Sequence, residues 1–133
     1  MTILRAIPLL AIVIAVYLLM GLAGILVLDA DAFNLTLPST AVFALRAGDF
    51  FTLAGLVALF VEMLKAARSS TSAVIDHILS TLTFIMALVA FLLVDYCGTG
   101  PFFLLTAMTL IDVIAGFSVS IFTARRDLNM HSG

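Results

Sequence analysis

Four ionisable side chains interrupt long apolar stretches of this 133-residue chain: Glu62, Asp76, His77 and Asp112. A charged group inside an apolar helix of membrane length costs a few kcal/mol or more, so such residues are rare there and are candidate functional sites. Carboxylates and imidazoles are also the groups that carry protons across membranes. The chemistry that these residue types favour is therefore proton transfer or ion binding.

Glu62, Asp76 and His77 are predicted to lie at similar depth. A short serine-rich link joins two antiparallel helices; Glu62 precedes the link by about as many residues as Asp76 and His77 follow it. We expect Glu62 to pair with His77, and Lys65 with Asp76, because Glu62 and Lys65 share a helix face. The simplest interpretation is a structural ion-pair network that fixes this helical hairpin. The alternative is a proton-handling or ligand site in which the histidine acts as a switch.

Asp112 stands alone near the middle of the last apolar run. Its short side chain cannot reach the membrane surface, so it must face protein or a water-filled cavity, or be protonated. Thr109 and Gly116 share its helix face, a small and polar stripe typical of helix interfaces. We predict Thr81 and Thr83 on the preceding helix as its hydrogen-bond partners. A structural role is the simplest interpretation; a solute, ion or proton site and a partner-subunit contact are the alternatives.

The composition of the chain is that of a membrane protein. Hydrophobic residues make up 64% of it and charged residues 11%, and the mean hydropathy is +1.30. Soluble domains have about 45–50% apolar and about 25% charged residues. Six Lys and Arg against eight Asp and Glu give no basic surface for nucleic acid. One cysteine and the absence of catalytic, nucleotide-binding or metal-binding motifs predict a non-enzyme without cofactor or metal.

Four apolar runs are long enough to cross a hydrocarbon core of about 30 Å. Because backbone groups in lipid must pair within their own segment, each run predicts a helix. We predict an all-α fold, an integral membrane four-helix bundle that forms one domain over residues 1–133. The spans are predicted at residues 6–28, 50–66, 73–94 and 101–123, with an outward loop at 29–49.

Two segments leave alternatives open. Residues 40–48 form either a short interfacial helix or an outward extension of the second span. The first run is a span or a cleaved signal peptide, but it exceeds the ~7–15 apolar residues of a signal sequence, which favours a span. Aromatic residues predicted to anchor the outer boundary in the bilayer are Phe50, Phe51, Phe102 and Phe103.

Basic residues near the span ends predict the orientation. Five of the six fall on one side of a four-span chain and Arg46 falls on the other; the five are Arg5, Lys65, Arg68, Arg125 and Arg126. Since basic residues concentrate on the cytoplasmic side, both termini are predicted to be cytoplasmic.

Several strings in the second half carry a resemblance to a known group of proteins. They are Phe60-Val61-Glu62-Met63-Leu64-Lys65, Asp76-His77, Phe102-Phe103-Leu104-Leu105-Thr106, Asp112-Val113-Ile114-Ala115-Gly116-Phe117 and Arg125-Arg126. Over about residues 45–127 the chain resembles small four-span inner-membrane proteins of alphaproteobacteria, a family without an assigned activity. The resemblance implies a multi-pass protein of the bacterial inner membrane and transfers no catalytic residue.

Two functions follow from these patterns. The chain is expected to contact the lipid bilayer and either other membrane subunits or further copies of itself. The first function is a non-enzymatic accessory, assembly or scaffold component of a membrane complex. The second is a homo-oligomeric proton-coupled transporter or channel for an ion or small solute. In the second, Asp112 binds the ion or proton, and Glu62, Asp76 and His77 line the cytoplasmic exit.

Overall fold

The computed structural model of the protein describes residues 7–68 and 73–131, and these are mostly helical. Three helices are long and apolar enough to cross a membrane, over Ala47–Ala66, Val74–Leu93 and Gly100–Ser118. The elements described are α1 (Leu9–Leu22), β1 (Asp31–Thr36), β2 (Val42–Arg46), α2 (Ala47–Arg68), α3 (Ala73–Leu93), a 3₁₀ turn (Asp95–Cys97) and α4 (Gly100–His131).

The first helix is shorter than the predicted span of residues 6–28, because a glycine ends it. Gly24 adopts a left-handed conformation with φ of 73°. Its amide donates to the carbonyl of Gly21, and the amide of Ile25 donates to that of Met20. This hydrogen-bond pattern is a Schellman motif, which satisfies the last carbonyls of a helix and stops it. The apolar run therefore continues beyond α1 outside any helix.

The segment predicted as an outward loop at 29–49 contains a β-hairpin, so the all-α prediction is wrong here. Strands β1 and β2 pair antiparallel. The helix alternatives for residues 40–48 are also wrong, because most of that stretch is strand β2 and α2 begins only at Ala47. The tip contains Pro38, whose fixed φ suits a turn, and Thr40 at a φ of 69°. Aromatic and β-branched residues in both strands favour the extended conformation.

Helix α4 is the central element of the bundle, since it packs against α2 and α3 and also meets α1. Its buried residues Phe102, Leu105, Met108 and Asp112 recur every three or four positions and so form one face. Gly55 of α2 lies directly against the side chains of Leu105 and Met108. The lack of a side chain at this glycine lets α2 and α4 approach closely.

A buried tyrosine ties together the hairpin end of the bundle, where α1 and α3 end and α2 and α4 begin. The hydroxyl of Tyr17 donates to the carbonyl of Tyr96 at 2.8 Å and lies 2.7 Å from the hydroxyl of Thr99. Its ring contacts the rings of Phe51 and Phe102, with centroids 5.2 and 4.9 Å apart. Tyr17 is fully buried, and its partners Tyr96 and Thr99 are partly buried.

The four phenylalanines predicted as bilayer anchors divide between the core and the surface. Phe50 and Phe103 are about half exposed, at 49% and 54%. Phe102 is fully buried and Phe51 is partly buried against the core. The anchor prediction is therefore wrong for Phe102, because the spacing of these residues places it on the inner face of α4.

Candidate functional site

Five polar side chains from three helices gather toward the end of the bundle away from the hairpin. We call Glu62, Asp76, His77, Ser80 and Asp112 the polar cluster. Asp112 lies within electrostatic range of His77 and Asp76, and Glu62 within range of Asp112 and Asp76. The residues of the two sites predicted separately from the sequence thus lie near one another. Asp112 is about 18 Å along α4 from Gly100, which is past the middle of the apolar stretch.

Asp112 is buried, with 8% of its surface exposed, and its hydrogen-bond partner is Ser80 of α3. The Ser80 hydroxyl donates to the carboxylate from an equally buried position. The residues predicted for this role, Thr81 and Thr83, donate instead to carbonyls four residues earlier in their own helix, at 2.7 and 2.8 Å. Thr109, predicted beside Asp112, is buried and also donates within its own helix, to Thr106.

Ser80 was missed because depth alone does not decide which side chain faces a neighbouring helix. Ser80 follows His77 by three residues and precedes the buried Ala87 by seven, so the three share one face of α3. Thr81 lies about 100° around the helix axis from Ser80. The seven-residue spacing to a small apolar residue was the available signal for choosing Ser80.

Glu62 caps the N-terminus of α1 from a neighbouring helix. Its Oε1 atom accepts a hydrogen bond from the amide of Leu9 at 2.6 Å. Leu9 is the first residue of α1, and the preceding Pro8 supplies no side-chain cap. The first amides of a helix lack partners within it, and their partial positive charge favours a carboxylate. This capping role was not predicted, although an apolar helix start without a Ser, Thr, Asp or Asn cap indicates that the acceptor must come from elsewhere.

The ion pairs predicted for the cluster stay predictions. Lys65 lies within electrostatic range of Glu62, its neighbour on α2. Direct pairing of Glu62 with His77 and of Lys65 with Asp76 is untested. An ion pair within 4 Å does join Arg46 to Asp31 at the opposite end of the bundle, but both side chains there are more than half exposed.

The His77 ring is held between two residues of α4. It stacks on the ring of Phe117, with centroids 5.3 Å apart and planes 8° from parallel. A Cβ atom added at Gly116 would overlap the imidazole, so the glycine provides the space in which the ring sits. The histidine thus fixes the packing of α3 against α4 as well as adding a titratable group to the cluster.

The polar cluster can hold protons and join helices. It brings three carboxyl groups, one imidazole and one hydroxyl together in an apolar bundle. Among the side chains that the structure describes, every buried nitrogen or oxygen has a hydrogen-bond partner. Among the same side chains no group of three or more His, Cys, Asp or Glu residues is placed to hold a metal ion.

An apolar groove runs between α1 and α2, which we call the α1–α2 groove. Its volume is about 480 Å³, and its lining includes Ile12 and Val13 of α1 and Phe50, Ala54 and Ala58 of α2. The two alanines are four residues apart and so lie one above the other. Ala54 is exposed and Ala58 is buried in the core, so Ala54 is the small residue that allows another helix to approach closely. The groove therefore has the shape and chemistry of a helix-packing surface.

Comparison of the chain with protein-family models, with curated proteins and with solved structures gave no match. The arguments for function below therefore rest on the geometry of the polar cluster and the α1–α2 groove.

Proposed function

We propose that the protein is a non-enzymatic, multi-pass membrane protein that acts as an accessory, assembly or scaffold component of a membrane complex. The observation that carries this proposal is the α1–α2 groove, an apolar surface with one exposed small residue, Ala54, on a membrane-length helix. The polar cluster supports it, because its side chains join the chain's own helices: Asp112 binds Ser80, and Glu62 binds the start of α1.

The proposal places four crossings in the bacterial inner membrane, with the hairpin outside and both termini in the cytoplasm. Helix α1 is about 21 Å long, shorter than a hydrocarbon core of about 30 Å, and the apolar residues 25–28 lead from it to the hairpin base. Basic residues at Lys65, Arg125 and Arg126 belong to the helix ends away from the hairpin. This distribution supports the orientation.

A transmembrane helix of a different subunit is the occupant that best suits the α1–α2 groove. In lipid, helices associate through close van der Waals packing, because apolar burial gives no net driving force between them. The exposed Ala54 provides close approach, and Ile12 and Val13 provide walls on the other side. The partner surface is therefore expected to be apolar, with a small residue opposite Ala54.

Filling the groove tests this function. We expect Ala54→Phe to abolish stoichiometric recovery of a second membrane subunit after gentle detergent purification and mass analysis, while the abundance of the protein stays normal. Ala15→Phe is the matched control, because Ala15 is exposed on α1 and does not line the groove. Recovery of clean homo-oligomers from the parent protein, or an unchanged partner in Ala54→Phe, would refute the accessory role.

A proton-coupled transporter or channel is the second candidate, and the buried Asp112 is the observation that favours it. A carboxylate at this depth, with Glu62, Asp76 and His77 within electrostatic range of one another or of Asp112, is typical of proton relays. Four helices rarely enclose a pathway alone, so this function requires a homo-oligomer.

The variant Asp112→Asn distinguishes the two candidates. The amide keeps the shape of the side chain and an oxygen that accepts from Ser80, but it removes the titratable charge. Under the transport function, ion or proton flux into reconstituted vesicles disappears while abundance stays normal. Under the accessory function, partner recovery and abundance are both unchanged, and a flux lost on substitution would count against it.

A further inference from the structure

The β-hairpin has one apolar face, which follows from its register. Phe33 pairs with Leu45 across the ladder, and Leu35 pairs with Phe43. Directly paired residues project to the same side of a sheet, so these four form one face, the apolar hairpin face. The alternate residue Asn34 projects to the other side. Phe33, Leu35 and Phe43 are 53%, 48% and 46% exposed.

This face needs a cover, because an isolated two-stranded hairpin is marginally stable in water. The fold fixes the hairpin only at its base. There the amide of Ala47 donates to the carbonyl of Ala30, and the amide of Gly48 donates to that of Leu28, both at 3.0 Å. These bonds hold the base of the hairpin against the first turn of α2, at the level where the bundle ends.

The charged residues of the hairpin are all at its base. This distribution indicates what kind of surface contacts the apolar hairpin face. Asp29, Asp31, Arg46 and Asp49 flank it, and residues 32–45 between them carry no charge. A hairpin that projects into water has polar, charged residues at its tip, whereas here the tip is uncharged. An uncharged, amphipathic element beside membrane spans suits the boundary between lipid headgroups and acyl chains.

Exposed apolar residues also continue from the helices to the hairpin. Ile25 and Val27, which follow α1 in the chain, are 61% and 60% exposed, and Phe50 at the start of α2 is 49% exposed. They lie on either side of the hairpin base in the chain. The surface that α2 would present to acyl chains is therefore continuous with the hairpin.

We propose that the apolar hairpin face lies on the bilayer surface and binds lipid, so that the hairpin is an interfacial element rather than a solvated loop. The occupant is a neutral or zwitterionic lipid surface, since residues 32–45 offer no charge to attract an anionic one. This inference rests on the membrane insertion that is part of the proposed function.

The absence of tryptophan from the chain allows a direct test. Single variants Phe33→Trp and Phe43→Trp put the probe on the apolar hairpin face, and Asn34→Trp puts it on the opposite face as the matched control. Leu56→Trp, at a position 49% exposed on α2, reports insertion of the helices. Each full-length variant is reconstituted in phosphatidylcholine nanodiscs, with and without acyl chains brominated near the headgroup.

We expect the brominated lipid to quench emission from Phe33→Trp and Phe43→Trp, and acrylamide to quench Asn34→Trp more strongly than either. Equal access of acrylamide to both faces would overturn the inference. Protection from acrylamide without bromine quenching would also overturn it, because a second copy or another protein segment would then be the cover. In both cases bromine quenching of Leu56→Trp would leave membrane insertion intact. Loss of quenching at Leu56→Trp would instead refute insertion itself.

Discussion

Replacing Tyr17 by phenylalanine should destabilise the hairpin end of the bundle without disturbing its packing. The single hydroxyl proton is donated to the carbonyl of Tyr96 at 2.8 Å, so the contact of 2.7 Å with Thr99 must be donated by the threonine. The ring stays in Tyr17→Phe, and its contacts with Phe51 and Phe102 are kept. The variant therefore removes two hydrogen bonds and little else.

The expected loss is about 2–3 kcal/mol in the free energy of unfolding. A typical hydrogen bond contributes about 0.5–1.5 kcal/mol net, and a buried group left without a partner costs about 1–3 kcal/mol. Tyr17 is fully buried and Tyr96 is partly buried, so the carbonyl of Tyr96 loses its partner where access of water is reduced. The Thr99 hydroxyl loses an acceptor in the same place.

Tyr96→Phe is the matched control, since it removes one hydroxyl from a partly buried ring. That hydroxyl donates to the carbonyl of Leu18 at 3.1 Å. Loss of one longer hydrogen bond should cost about 0.5–1.5 kcal/mol. The order of the two variants, with Tyr17→Phe the more harmful, follows from the number of partners and from burial.

The buried Cys97 provides the assay. Maleimide labelling of Cys97 during titration of mild detergent with SDS reports the opening of this end of the bundle. In a double-mutant cycle, Tyr17→Phe and Thr99→Val should show coupling of about 1 kcal/mol, because both remove the same hydrogen bond. Strict additivity in the cycle, or a Tyr17→Phe variant no less stable than Tyr96→Phe, would refute the reasoning.

Three further predictions concern other parts of the bundle. Gly116→Ala should lower stability by about 1–3 kcal/mol through overlap with the His77 ring, measured by the same titration; His77→Ala should relieve part of that loss. Glu62→Leu removes the acceptor of the Leu9 amide and should cost about 1–3 kcal/mol. Glu62→Gln keeps an acceptor oxygen and should cost less, and equal losses would contradict the capping role. Burial raises the pKa of the Cys97 thiol, so labelling of the folded protein should be on the order of tenfold slower than labelling in SDS. The stabilisation from the neutral thiol is present below the pKa of the unfolded thiol and is lost as the pH rises through the higher pKa of the folded thiol. A folded protein that labels as fast as the SDS-treated one would exclude burial of the thiol.

The sequence alone was sufficient to predict the three long helices. The predicted spans at 50–66, 73–94 and 101–123 coincide with α2, α3 and the first part of α4. Length and composition are enough here, because the backbone of a long apolar segment forms its hydrogen bonds within that segment whatever surrounds it. Pro101 lies in the first turn of α4, where its missing amide hydrogen costs nothing.

Two local features were readable in the sequence but were outweighed by the hydropathy of their surroundings. Gly24 ends α1 in a Schellman motif although the apolar run continues. The alternation of large apolar residues around Pro38 forms a hairpin, although the segment reads as a loop between spans. In both cases a short-range backbone preference prevails over the average composition.

Only the tertiary structure decided which polar side chains meet. The sequence gives the depth of Asp112 along its helix, but Ser80 rather than Thr81 is its partner because α3 is rotated to place Ser80 against α4. In the same way Glu62 meets the first amide of α1, a residue 53 positions away in the chain. The rotation and crossing of packed helices depend on contacts between distant segments, such as Gly116 against His77, and periodicity within one segment does not determine them.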